Sequence, residues 1–182
     1  MKIRGETVKA RATVQCIIPR GAADPIVLTC EALPLDYSEK VKRMFPDPRP
    51  PRVFAKDGRG KIIRDPETKV AILEDDFNDA DFVAKNADAQ RRQTVYLVYC
   101  ALRNCSDVEF DCAKTLKIED DHVRFIDALY TELLDSGFSM GDIALIGNDA
   151  MRASNVGAAE VEKARDSFLR GSRPDGEAAS QS

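Results

Sequence analysis

Residues 78–103 read NDADFVAKNADAQRRQTVYLVYCALR, and this stretch predicts a long helix. Asn78 can cap a helix that runs from Asp79 to about Arg103, and the acidic residues of its first turn suit the positive end of the helix dipole. Its second half carries a broad apolar face made of Val95, Leu97, Val98, Ala101 and Leu102. We therefore expect this helix to pack against a core through its C-terminal part.

Further helical segments follow it in the sequence. Residues 119–136 place apolar side chains at helical spacing, and Gly137 is a suitable residue just beyond the helix end. Ser139 can cap a third helix that runs to about Asn148, and its continuation to Asn155 stays open because Gly147 weakens the middle. Residues 158–170 can form a last amphipathic helix. In the 119–136 helix, the apolar positions are Val123, Ile126, Tyr130, Leu133 and Leu134. The second half of the chain is thus predicted to hold three to four helices.

Before the long helix, the chain favours extended structure. Residues 7–17 alternate apolar and polar side chains, which predicts a strand with one face buried. The apolar positions are Val8, Ala10, Ala12, Val14 and Cys16. Residues 19–21, Pro-Arg-Gly, should break this strand, and residues 26–33 form a second strand candidate. We expect the two to pair across residues 19–25, a connection longer than a tight hairpin.

The stretch between the strands and the long helix is rich in proline and turn residues. Ser38 can cap a short helix over residues 39–45, and residues 46–51 hold four prolines and should be extended. Residues 53–55 and 61–63 predict a small hairpin around an Asp57-Gly58 turn. Asp65-Pro66 should end it, and residues 70–73 can add a short strand. No internal repeat is expected.

The fold class predicted from these segments is α+β, with N-terminal strands, a hairpin and a C-terminal helical portion. One domain should span residues 1–170, β-rich over 1–73 and helical over 78–170. Residues 171–182 have no apolar anchor and are expected to form a disordered tail.

Composition excludes several classes of protein. With 27 basic and 31 acidic residues the formal charge is −4, which disfavours nucleic acid as a partner. No apolar run approaches the ~20 residues of a membrane helix, so no membrane partner is expected. The start, Met1 to Gly5, leads into charged residues without the apolar region of a secretory signal. Five cysteines, an odd number, suit reduced thiols in a cytosol.

Candidate chemical groups are few. Cys100, Cys105, Cys112 and His122 are the nearest approach to a metal or nucleophile set, but their spacing is unlike that of zinc sites. We therefore expect no catalytic residues, no metal and no cofactor. An enzyme that uses Cys100 or Cys112 with His122 stays open as an alternative, because such partners need be adjacent only in space.

The proline run gives the candidate partner-binding residues Pro48, Pro50, Pro51, Val53 and Phe54. Arg49-Pro50-Pro51 suits an aromatic groove on another protein. The alternative is a stiff spacer that carries the chain from the short helix to the hairpin.

Residues 28–148 resemble the tail assembly chaperones of long-tailed bacteriophages in the order and composition of their segments. The likeness begins with Leu33-Pro34-Leu35-Asp36-Tyr37 ahead of the short helix and continues through the proline run, residues 46–51. The run from Lys56 to Lys61, the acidic stretch 74–76 and the helix ending 91–102 follow in the same order. A terminal helix after residues 137–139 also fits.

The resemblance implies a function and a location. It implies a non-enzymatic chaperone in the host cell cytoplasm that holds the tape measure protein soluble while tail tube protein assembles around it. A homo-oligomer is a further possibility, and a structural virion component, such as a tail or head-completion protein, is the alternative function.

Overall fold

The computed structural model describes residues 2–3, 6–7, 12–21 and 23–154. Its strands are β1 (Lys2–Ile3), β2 (Glu6–Thr7), β3 (Thr13–Arg20), β4 (Ala23–Glu31), β5 (Arg52–Phe54) and β6 (Leu73–Asp75). Its helices are α1 (Tyr37–Met44), α2 (Ala80–Leu102), α3 (Cys112–Thr115), α4 (His122–Asp135) and α5 (Met140–Ser154). The strands pair in sequence as three two-stranded antiparallel sheets. The α+β fold class is confirmed.

The hairpin of β3 and β4 forms one wall of the core. Cys16, Ile18, Leu28 and Cys30 are buried on its inner face, as the period of two along a strand requires. Pairing of the two strands is confirmed, but their connection is a tight turn at Gly21, which has a φ of 62°.

Two details of the β3 prediction are wrong. β3 runs through Pro19, which is exposed and lies where the register shifts, a place that tolerates proline. Ala12 is exposed rather than inward, and residues 8–11 lie outside the described residues.

The second half of α2 is the centre of the core. Val95, Val98, Ala101 and Leu102 are almost fully buried there, as the apolar face predicts. Helix α5 packs against both α2 and β3, and α4 packs against α2 from another side. α4 contributes the buried side chains of Phe125, Ile126, Leu129 and Leu133.

Polar contacts fix these elements to one another. Arg20 in β3 donates to the Asp142 carboxylate of α5 at 2.8 Å. Arg92 in α2 forms a two-point ion pair with Asp127 of α4, with both N···O distances at 2.9 Å. Such paired contacts with a guanidinium restrain orientation as well as distance.

Of the three predicted helix caps, two are wrong and one is confirmed. α2 is capped by Asp79, whose side chain accepts from the Phe82 amide, and not by Asn78. Ser38 lies inside α1, which begins at Tyr37. Ser139 does cap its helix, through a reciprocal pair of hydrogen bonds with Asp142.

Helix α5 continues past Asn148 to Ser154, so Gly147 does not end it. The Ser154 hydroxyl accepts from the Leu33 amide at 2.8 Å, so the end of α5 is tied to the chain that follows β4. The predicted helix over 158–170 and the predicted tail over 171–182 lie outside the described residues. Among the helices that the structure describes, none has the length and apolarity to cross a membrane.

Candidate partner-binding surface

Residues 52–75 form a β-structure that we call the arm. It consists of the β5–β6 sheet and two outer lobes, residues 55–62 and 63–70. Three backbone segments meet at its centre in a closed ring of hydrogen bonds. The Ala55 amide donates to the Ile72 carbonyl at 2.9 Å, the Ile72 amide to the Ile63 carbonyl at 3.0 Å, and the Ile63 amide to the Ala55 carbonyl at 2.8 Å. Each segment thus satisfies backbone polar groups of the other two.

Each of the two outer lobes is closed by an aspartate. In the first lobe, the Asp57 carboxylate accepts from the amides of Arg59 and Lys61, both at 2.9 Å. In the second, the Asp65 carboxylate accepts from the amide and the hydroxyl of Thr68 and from the amide of Glu67, which lowers the pKa of Asp65. Aspartate side chains that bond to nearby amides in this way stabilise turns.

The two lobes correspond to a repeat of eight residues. Residues 55–62 read AKDGRGKI and residues 63–70 read IRDPETKV. Both follow the order apolar, basic, Asp, three residues, Lys, apolar. The expectation of no internal repeat is therefore wrong for this stretch, and the spacing of eight between Asp57 and Asp65 is the signal that sequence reasoning missed.

The predicted hairpin is only partly confirmed. Lys56 does bridge to Ile62 around the Asp57-Gly58 turn. However, β5 pairs with β6 rather than with residues 61–63, and Asp65-Pro66 opens the second lobe instead of ending the structure. The difference arises at Ala55, because its carbonyl accepts from the Ile63 amide while its own amide donates to the Ile72 carbonyl. Three segments rather than two therefore pair at the centre of the arm.

The arm leaves its apolar side chains uncovered. Within residues 52–75 only Ala55 is buried. Large apolar residues of the arm that remain exposed are Val53, Phe54, Ile62, Ile63, Val70, Ile72 and Leu73. Several large apolar side chains exposed within one short segment suit a site of interaction with another molecule.

The proline run ties the arm to the helical body. The Gln93 side chain in α2 donates to the Phe45 carbonyl and to the Asp47 carboxylate, which holds the start of the run on α2. At the other end, the Pro51 carbonyl accepts from the Asp76 amide at 2.8 Å and closes the base of the arm.

Of the predicted partner-binding residues, Pro48 and Pro50 are half-buried, whereas Pro51, Val53 and Phe54 are exposed. The spacer role thus fits the first prolines, and the available apolar surface lies in the arm. Ile62, Ile63, Val70, Ile72 and Leu73 extend that surface and were missed by the sequence prediction.

The cysteine and histidine candidates occupy structural positions. Nε2 of His122 lies 3.0 Å from the Met44 carbonyl oxygen, and the His122 ring packs edge-on against Phe45. Burial, together with the neighbouring Glu132 carboxylate, raises the pKa of Cys112 to about 12. Cys100 and Cys105 are buried in the core. A thiol with a raised pKa is a poor nucleophile near neutral pH.

No family model matches the chain, and neither a curated protein nor a solved structure matches it.

Proposed function

We propose that this protein is a non-enzymatic tail assembly chaperone of a long-tailed bacteriophage. It binds the tape measure protein, and tail tube subunits, in the host cell cytoplasm during tail assembly. The observation that carries the proposal is the arm, which presents seven large exposed apolar side chains on three segments joined by backbone hydrogen bonds.

The arm suits a client that is apolar and aggregation-prone. Contact between the arm and such a client removes apolar surface of both from water, which favours binding by about 25 cal/mol for each Å² buried. The basic and acidic residues between the apolar ones, such as Lys56, Arg64 and Glu74, keep the free arm hydrated. The order of segments that resembles tail assembly chaperones includes this arm, from Lys56 to the acidic stretch 74–76.

Coexpression with the client tests the proposal. We expect this protein to raise the soluble fraction of the tape measure protein of the same phage, compared with expression of the client alone. His122→Ala and Cys112→Ser should retain this effect, since neither side chain belongs to the arm. If the client stays insoluble, and mass spectrometry finds this protein at high copy in purified virions, the structural-component alternative replaces the proposal.

A loss of client solubilisation in His122→Ala or Cys112→Ser would argue against the non-enzymatic function. Provided that the variant is folded, as judged by circular dichroism, such a loss would favour the Cys/His enzyme instead.

A further inference from the structure

A groove of about 430 Å³ lies between α2, α4 and the start of α5. Its apolar lining includes Val95, Tyr130, Leu133, Leu134, Met140 and Ile143. Leu134 and Met140 are 52% and 76% exposed, although both are large apolar side chains. The volume is within the range of about 300–1,000 Å³ that is typical of binding pockets.

An exposed stripe of α5 continues this groove along the helix. Met140, Ala144 and Met151 are all exposed, and their spacings of four and seven residues place them on one side of α5. The buried residues of α5, among them Ile146 and Ala150, lie on another side and face the core. The stripe thus begins in the groove at Met140 and leads to the C-terminal end of α5.

The chain itself supplies a segment of the right length to cover this stripe. Helix α5 has 15 residues and is about 22 Å long. Asn155 and Gly157 follow it, and these residue types commonly end a helix. The amphipathic helix predicted over residues 158–170 would be about 20 Å long, so an antiparallel return would bring it back to the groove. The three residues between the two helices are enough for such a return.

The apolar residues of that segment match the stripe position by position. In an antiparallel return, residues equally far from Val156, the middle of the connection, lie opposite each other. Val161 and Met151 are each five residues from Val156, and Phe168 and Ala144 are each twelve. Val161 and Phe168 are seven residues apart, so they share one side of the predicted helix. A large ring thus meets a small residue beside the groove, which leaves room for the ring to enter it.

We propose that residues 158–170 of this chain form a helix that packs antiparallel on the α5 stripe, with Phe168 in the groove. Burial of Phe168, Met140 and Met151 favours this packing because it removes apolar surface from water. A segment tethered so closely acts at an effective concentration on the order of millimolar, which favours it over a separate partner at the same place. The inference concerns the purified chain and does not involve the client, so its failure leaves the proposed function standing.

Methionine oxidation tests the packing in the full chain, since the oxidation rate of a methionine follows its exposure. The purified parent and its variants are treated with dilute hydrogen peroxide, and sulfoxide at Met140 and Met151 is followed by peptide mass spectrometry. Phe168→Glu should release the segment and raise both rates about fivefold or more. Ala159→Glu adds the same charge on the opposite side of the predicted helix, so both rates should stay at the parent value.

A variant on the stripe complements the one on the segment. Ala144→Glu, at an exposed position of α5, should raise the rate at Met151 as Phe168→Glu does. The half-buried Met44 of α1 checks folding, because its rate rises only if the helical body opens. Its rate should therefore be equal in the parent and in all three variants.

Dilution separates the chain's own segment from that of a second copy. Protection within one chain does not depend on protein concentration, whereas protection by a second copy falls on dilution. Rates at Met140 and Met151 that are equal in the parent and in Phe168→Glu overturn the proposal. So does protection that is lost on dilution, an Ala144→Glu variant that keeps the parent rates, or an Ala159→Glu variant that raises them as much as Phe168→Glu.

Discussion

Phe54 and Leu73 oppose each other directly across β5 and β6, and they remain 50% and 41% exposed. In a two-stranded sheet that folds against a core, such an apolar pair would normally lie on the buried face. Here the strands belong to an arm in which only Ala55 is buried. The pair is thus apolar surface that the described part of the chain does not cover, and it is the centre of the functional account.

The helical body should fold without the arm. The Pro51 carbonyl oxygen and the Asp76 amide nitrogen are 2.8 Å apart, so replacing residues 52–75 by a short glycine linker needs little rearrangement. We expect a melting temperature within a few degrees of the parent, measured by circular dichroism. A deletion variant that is unfolded would show that the arm is part of the core.

Asp142 should make the protein sensitive to acid. The Ser139 amide and the Arg20 guanidinium stabilise the carboxylate and hold the pKa of Asp142 below its usual range. This contribution to stability is complete above the ordinary pKa of about 4 and is lost as the pH falls through the lowered value. Asp142→Asn should therefore melt several degrees lower at pH 7, and the difference should shrink towards pH 2.

A matched variant checks that this effect belongs to the ion pair. Asp24→Asn, at an exposed position in β4, should follow the parent at every pH. An Asp142→Asn difference that stayed constant from pH 7 to pH 2 would contradict the assignment.

Truncation to alanine should lower stability much more at Ile126 than at Leu134, although both are apolar residues of α4. Ile126 is fully buried, whereas Leu134 is 52% exposed. Ile126→Ala should lower the free energy of unfolding by about 2–5 kcal/mol because it leaves a cavity. Leu134→Ala should change it by less than about 0.5 kcal/mol. Urea denaturation of both variants measures the difference, and equal losses would refute the packing of α4.

The double change of Pro50 and Pro51 to alanine should affect binding more than stability. The hydrogen bond from the Asp76 amide to residue 51 uses a backbone carbonyl and survives the change. The segment that presents the arm loses its stiffness, which raises the entropic cost of binding. A pull-down with client fragments should weaken while the melting temperature stays within a few degrees. A large drop in melting temperature with unchanged binding would assign the prolines to the fold alone.

The helices were predictable because their signals are local and repeated. The apolar face from Val95 to Leu102 and the spacing of Ile126 and Leu133 both gave buried positions correctly. The cap of α2 was not predictable in the same way, since Asn78 and Asp79 are adjacent and both are good capping residues, and it is the Asp79 side chain that accepts from the Phe82 amide.

The arm was predicted least well, because the sequence does not show which of its segments form hydrogen bonds with one another. A period of two identifies a strand but not its partner, and at Ala55 the amide and the carbonyl pair with two different segments. The sequence analysis predicted the short strand over residues 70–73 but gave it no partner, whereas Ile72 bonds to both Ala55 and Ile63. The repeat of Asp57 at Asp65 was available in the sequence, but eight residues is a short period that is easily read as two separate turns.

The most direct test of the account is client binding by a variant with a damaged arm. The double variant Phe54→Ser, Leu73→Ser removes the opposed pair, and Leu35→Ser removes a fully exposed leucine outside the arm. The soluble fraction of coexpressed tape measure protein should fall to the level without chaperone for the double variant and stay at the parent level for Leu35→Ser. Full client solubilisation by a folded double variant would contradict the claim that the arm binds the client.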